Sequence, residues 1–211
     1  MRNSITKFLL PSLALIASAL QAAPVAVDSQ FTGGVFGSFN LNYTSGAAGL
    51  KLQQVTIDLQ SPLFADPTFS GPGALLPLPF SGISGAAATG FAGVTGIFDG
   101  ATSFTLLFTD FDAGESFNFN LDVDAPCGNI WCLVPASLTT GAEFAGTKLT
   151  GAFGGSGYQS RAVEALYTAS GPITARAQMT GDVEAVPEPG TYALLGGGLI
   201  ALTLARRKRS A

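Results

Sequence analysis

Ser116-Phe117-Asn118-Phe119-Asn120-Leu121-Asp122-Val123-Asp124 alternates polar and apolar residues without a break. Successive side chains of an extended strand point to opposite faces, so Phe117, Phe119, Leu121 and Val123 share one side and the amides and carboxylates share the other. A helical period would scatter the same residues around a cylinder. The stretch therefore reads as a strand with one dry and one wet face, as in an antiparallel sheet. Shorter versions of the pattern lie on either side. Leu52 to Leu59, with Val55, Ile57 and Leu59 in phase, and Phe104 to Phe108 precede it; Thr147 to Phe153, Val163 to Thr168 and Ile173 to Met179 follow. No helix of ordinary length is predicted in this central region, and Arg161 to Tyr167 is its one ambiguous patch. Short strands separated by Gly-rich turns predict an all-β fold, a single β-sandwich of jelly-roll type.

Two stretches fall outside that pattern. Ser61 to Pro79 carries Pro62, Pro67, Pro72, Pro77 and Pro79, which removes backbone donors and predicts a long loop or edge excursion. Ser81 to Gly100 is rich in Gly and Ala, and the likeness between Ser81-Gly-Ile-Ser and Thr95-Gly-Ile-Phe is too short to define a repeat.

The two ends of the chain have compositions of their own. Arg2 and Lys7 precede an apolar run from Phe8 to Leu20, and Ala22-Ala23 supplies small residues for cleavage, the plan of a secretory signal peptide. The cut is expected after Ala22, since a cut after Ala23 would leave Pro24 in first place. At the other end, Pro187-Glu188-Pro189-Gly190 precedes an apolar run from Thr191 to Ala205 and the cations Arg206, Arg207, Lys208 and Arg209. Pro187 and Pro189 fix φ and lack amide protons, which keeps the segment from being absorbed into a strand or helix interior. The run predicts a single transmembrane helix of marginal length, since fifteen helical residues rise about 22 Å against about 30 Å of hydrocarbon. The four terminal cations are expected on the cytoplasmic side, where arginines can snorkel and a thinned bilayer can cover the deficit. The chain thus divides into 1–22, a signal peptide; 23–186, the β-sandwich body; and 187–211, the tail.

This order of Pro187-Glu188-Pro189, short apolar helix and basic end resembles the PEP-CTERM sorting signal of exported Gram-negative proteins, also labelled the "ice-binding protein C-terminal domain". The resemblance implies recognition by an exosortase, a membrane protease that cuts near the motif. It also implies export through signal peptidase, an inner-membrane-tethered precursor, and delivery to the cell surface or the exopolysaccharide matrix. The stretch Asp110-Phe111-Asp112-Ala113-Gly114-Glu115, continued to Asp122-Val123-Asp124, resembles a segment that recurs in the bodies of such proteins; no activity follows from it.

Composition narrows the chemistry. Between the two ends only Lys51, Lys148, Arg161 and Arg176 are basic, against fourteen acids when Glu188 is counted, a net charge of −10. No basic patch can be assembled for nucleic acid, which is therefore not an expected partner. The chain has no histidine, which removes Ser-His and Cys-His dyads and most zinc sites. Cys127 and Cys132 are the only cysteines, and in an exported chain such a close pair is expected to form a disulfide that fixes the loop carrying Trp131. Asp110, Asp112, Glu115, Asp122 and Asp124 offer hard oxygen ligands suited to Ca²⁺, although the spacing is not that of an EF-hand. The plainer reading of the same residues is a tight Asp/Gly turn followed by a solvated strand face. No pair of carboxylates stands out as a glycosidase pair, and no cofactor is expected apart from that calcium. An ice-binding face would want long Thr ladders, and none runs through the body. The expectation is a non-enzymatic protein of the surface or matrix that acts by association. The alternative is a calcium-dependent carbohydrate-binding module for extracellular polysaccharide.

Overall fold

The computed structural model describes residues 22–33, 37–66, 80–124, 139–186 and 189–207. The first strands are β1 (Ala23–Thr32), β2 (Gly37–Ser45), β3 (Leu50–Asp58), β4 (Phe64–Asp66) and β5 (Ser81–Ser84). The short helix α1 (Ala86–Thr89) leads to β6 (Phe91–Thr95), β7 (Ser103–Phe111) and β8 (Ser116–Asp124). After α2 (Gly141–Phe144) come β9 (Lys148–Gly155), β10 (Tyr158–Leu166), β11 (Thr168–Ala169) and β12 (Thr174–Val183), then the helix α3 (Pro189–Arg207).

The strands form two antiparallel sheets. One runs β11-β12-β1-β2-β8-β4, with β5 also paired to β8; the other runs β10-β9-β3-β7-β6. The sandwich architecture is as expected, but the wiring is not wholly that of a jelly roll. The hairpins β1–β2, β6–β7, β9–β10 and β11–β12 stay within a sheet, while β2→β3 and β7→β8 are two of the connections that cross between sheets. These two crossings run side by side, because β2 pairs with β8 in one sheet and β3 pairs with β7 in the other. The turn 46–49 and the turn 112–115 therefore meet at one corner of the sandwich.

The core between the sheets is built from phenylalanine. Phe39 of β2 stacks on Phe119 of β8 at 4.6 Å between ring centroids and meets Phe104 of the opposite sheet edge-on at 6.2 Å. All three are buried, and aromatic pairs in such geometries add stabilisation beyond the area they remove from water. Phe144, carried by α2, stacks on Phe31 at 3.9 Å and closes one end of this cluster. Gly151 of β9 faces Met179 of the other sheet, and a Cβ there would lie 2.9 Å from Met179 Cε.

Several sequence expectations are refined. Ser116 to Asp124 is a strand over its whole predicted length, and Arg161 to Tyr167, the ambiguous patch, falls mostly in β10. The Gly/Ala stretch Ser81 to Gly100 is not featureless: it holds β5, α1 and β6. The tail does form a helix, of 19 residues, rising about 28 Å at 1.5 Å per residue. The expectation of a transmembrane helix is corrected, however: among the described residues no helix is long and apolar enough to cross a membrane. Gly196, Gly197 and Gly198 dilute its hydropathy in the middle, and Arg206 and Arg207 occupy its last turn. The signal-peptide segment 1–21 and both cysteines, Cys127 and Cys132, lie outside the described residues.

Candidate functional site

The acidic turn lies at the corner where the paired crossings fold over. Gly114, at φ 96°, donates its N–H to the carbonyl of Tyr43 at 2.6 Å, and Tyr43 donates its own to the carbonyl of Glu115 at 3.1 Å. Only glycine adopts that φ without strain, so the Asp-Ala-Gly-Glu order is what lets the turn close against β2. Glu115 turns its carboxylate back onto the backbone N–H of Asp112 at 2.8 Å. Lys51, the second residue of β3, donates from Nζ to Asp110 and, at 3.0 Å, to Asp112. Those hydrogen bonds, first to Asp110 and then to Asp112, hold the ammonium above the ordinary lysine range. Beneath the corner Tyr43 is buried, with its hydroxyl 3.3 Å from the carbonyl of Leu50. Burial, and then the charge of Asp112, push its pKa up to about 12.

This geometry changes the meaning of the expected calcium set. Asp110, Asp112 and Glu115 are brought together, but one oxygen of each aspartate faces the Lys51 ammonium and one of Glu115 accepts a backbone amide. Asp122 and Asp124 lie further along β8, on rungs shared with Asp66 and Phe64 of β4. Among the described residues no group of three or more His, Cys, Asp or Glu is placed to hold a metal ion. The sequence exposed the carboxylates but not their counter-ion, which sits some sixty positions away on another strand.

The second feature is a polar face that sequence reading did not single out. On the outer side of the seven-strand sheet, Thr168, Arg176, Gln30, Asn40, Asn118 and Ser84 form one transverse row over β11, β12, β1, β2, β8 and β5. Gln178, Asp28, Asn42 and Ser116 form the row on one side of it. Thr174, Thr32, Ser38, Asn120 and Ser81 form the row on the other. Of these fifteen side chains only Asp28 and Arg176 are charged. The amides are ordered among themselves. Asn42 donates to Asn40, Asn40 to Asn118, and Asn118 to Ser84 at 3.0 Å, while Arg176 donates to Gln30 at 3.2 Å.

The third feature is the junction with the tail. After β12 the chain stays pinned to the β9–β10 hairpin. Gln159 donates to the carbonyl of Glu184 at 2.9 Å, Ala185 bridges to Tyr158, and Val186 donates to the carbonyl of Gly157 at 2.7 Å. Pro187 and Glu188 lie outside the described residues, and Pro189 opens α3. Arg206 and Arg207 fall in its last turn, while Lys208 and Arg209 lie outside the described residues.

The described body is two antiparallel sheets, followed from Pro189 by a 19-residue helix with Arg206 and Arg207 in its last turn. Residues 185–209 match the family model of the PEP-CTERM protein-sorting motif. That motif implies recognition by an exosortase and an exported, membrane-anchored precursor. No curated protein and no solved structure matches the chain.

Proposed function

We propose that the chain is an exported, exosortase-processed protein of the cell surface or exopolysaccharide matrix of a Gram-negative bacterium, and that its body acts by association rather than catalysis. One observation carries this reading: the sorting motif begins at residue 185, the point at which the body makes its last backbone hydrogen bonds. Removal of the tail just beyond Val186 leaves every strand of the sandwich in place. At the other end β1 starts at Ala23, the residue left first by cleavage after Ala22. Until sorting the precursor stays anchored at the membrane through the segment that carries the motif. Cys127 and Cys132 are bonded to each other in the exported form.

A carbohydrate-binding role is the second reading, and the amide-rich sheet face favours it. Calcium is not made part of this reading, because Lys51 bridges Asp110 and Asp112 and offsets one of their two charges.

Intact-mass spectrometry of surface material tests the first reading. The expected species begins at Ala23 and lacks Thr191 to Ala211; a surface species that retains the tail overturns it. Replacing Pro187 and Pro189 with alanine is expected to leave the precursor in the inner membrane.

A further inference from the structure

We infer that the outer face of the β12-β1-β2-β8 sheet is a binding surface for a neutral, hydroxyl-rich polysaccharide chain, seated in the groove where that face meets β11. The inference rests on the reading of the body as an associating surface and names its ligand and its site. Three observations support it.

The first is a built concavity. A groove of about 660 Å³ opens on this face, lined by Asp28, Gln30, Asn42, Gln178, Leu166 and Thr168 among others. Its size is that of sites that enclose a small ligand or a few units of a chain. Leu166 is a large apolar side chain left 59% exposed at its rim, where it can cover the C–H face of a sugar ring. Arg176 also lines the groove, so one carboxylate and one guanidinium stand among the amides.

The second is chemical type. Each carboxamide has two donor hydrogens and two acceptor lone pairs, which suits it to neighbouring hydroxyls that both donate and accept. The relay from Asn42 through Asn40 and Asn118 to Ser84 uses one donor of each amide and fixes its rotation. Asn42 stands at the head of that relay and lines the groove, with its carbonyl oxygen not engaged by the relay. In the groove, Asn42 and Gln30, the latter bonded to Arg176, thus meet a ligand already oriented, which lowers the ordering cost of binding.

The third is charge. Here two of fifteen side chains are charged, and they are of opposite sign, in a region whose net charge is −10. Asp122 and Asp124 of β8 and Asp182 of β12 lie further along the same face, so the area suited to an uncharged ligand is confined to these rows beside the groove. A protein partner would want aromatic or aliphatic anchors at the centre of the patch, and the three rows hold none. A polyanion would meet the acidic remainder of the body.

Affinity electrophoresis of the full chain in detergent micelles tests the inference without depending on processing. The probe is the polysaccharide shed by the producing cells, separated into neutral and acidic fractions. The neutral fraction is expected to retard the wild-type chain and Gln54→Ala, a substitution on the outer side of the other sheet. The double variant Asp28→Ala with Asn42→Ala, checked for an unchanged melting temperature, is expected to need at least ten times more polysaccharide for the same retardation. A second pair, Gln30→Ala with Gln178→Ala, should behave alike and stands in if the first pair melts early. Equal retardation of wild type and both pairs, retardation by the acidic fraction alone, or none by either fraction overturns the inference. None of these results bears on the mass of the surface species, so the export reading stands or falls separately.

Discussion

Lys51 lies between two carboxylates contributed by the far end of another strand, and the corner depends on that arrangement. Without the ammonium, Asp110 and Asp112 would face each other across a tight turn in an already acidic body, the situation that first suggested a divalent ion. With it the turn has its cation. The melting temperature of the wild-type protein is therefore expected to be the same in EDTA and in millimolar calcium. Lys51→Met should lower it, and adding Asp112→Asn should restore part of the loss, since the second change removes the repulsion that the first exposes. Additive losses in that cycle would show that the corner is indifferent to charge. At this scale the sequence was half legible. Asp110, Asp112 and Glu115 advertise themselves by proximity along the chain, whereas a partner on β3 becomes visible only once β3 and β7 are paired.

Elements were legible wherever their period survived. Phe39-Asn-Leu-Asn-Tyr43 in β2 repeats the alternation of Phe117-Asn-Phe-Asn-Leu121 in β8, and the two strands pair with Phe39 opposite Phe119 and Asn40 opposite Asn118. That likeness was the available signal for β2, and the low strand preference of asparagine hid it. In β1 the inward position Ser29 interrupts an otherwise regular Val25, Val27, Phe31 series; its hydroxyl is bonded to that of buried Tyr167. The four-residue helix α2 was missed because it is too short for any periodicity, yet its start signal is plain. Thr140 accepts the N–H of Glu143 at 3.1 Å, and Glu143 accepts that of Thr140 at 2.8 Å, a reciprocal capping box. This cap fixes the turn that delivers Phe144 to Phe31. Thr140→Ala is expected to cost about 1 kcal/mol in denaturant titration. Glu143→Gln should cost less, because an amide oxygen can still accept the bond. Equal, negligible effects would mean that Phe144 is held by its packing alone.

At the scale of the molecule, groups that keep their protons in the folded state act in concert at high pH. Burial and the charge of Asp112 hold the Tyr43 hydroxyl at about 12, and burial holds that of Tyr167 higher still, against the opposing bond to Ser29. Lys51 and Lys148 are raised by their carboxylate partners, Lys148 chiefly by the charge of Glu164. In the unfolded chain tyrosine and lysine release their protons near pH 10. Above that value the unfolded state binds fewer protons than the folded one, so stability is complete below about pH 10 and declines as pH rises toward the folded-state values. The melting temperature should be level to about pH 9.5 and then fall. Tyr43→Phe should make the fall shallower, and an unchanged slope would refute a role for that hydroxyl. The pinning of Glu184, Ala185 and Val186 has a consequence of another kind, a mechanical one. Ala23 and Val183 are directly opposed on β1 and β12, so both ends of the processed body leave from the same rim. A body held to the surface by its new C-terminus and to a polymer by its sheet face is loaded in tension through β12. A pull along that strand cannot open its pairing with β1 one rung at a time; it must shear ten residue pairs together, after first tearing Val186 from Gly157. Under the proposed attachment, the load would meet that pairing in shear.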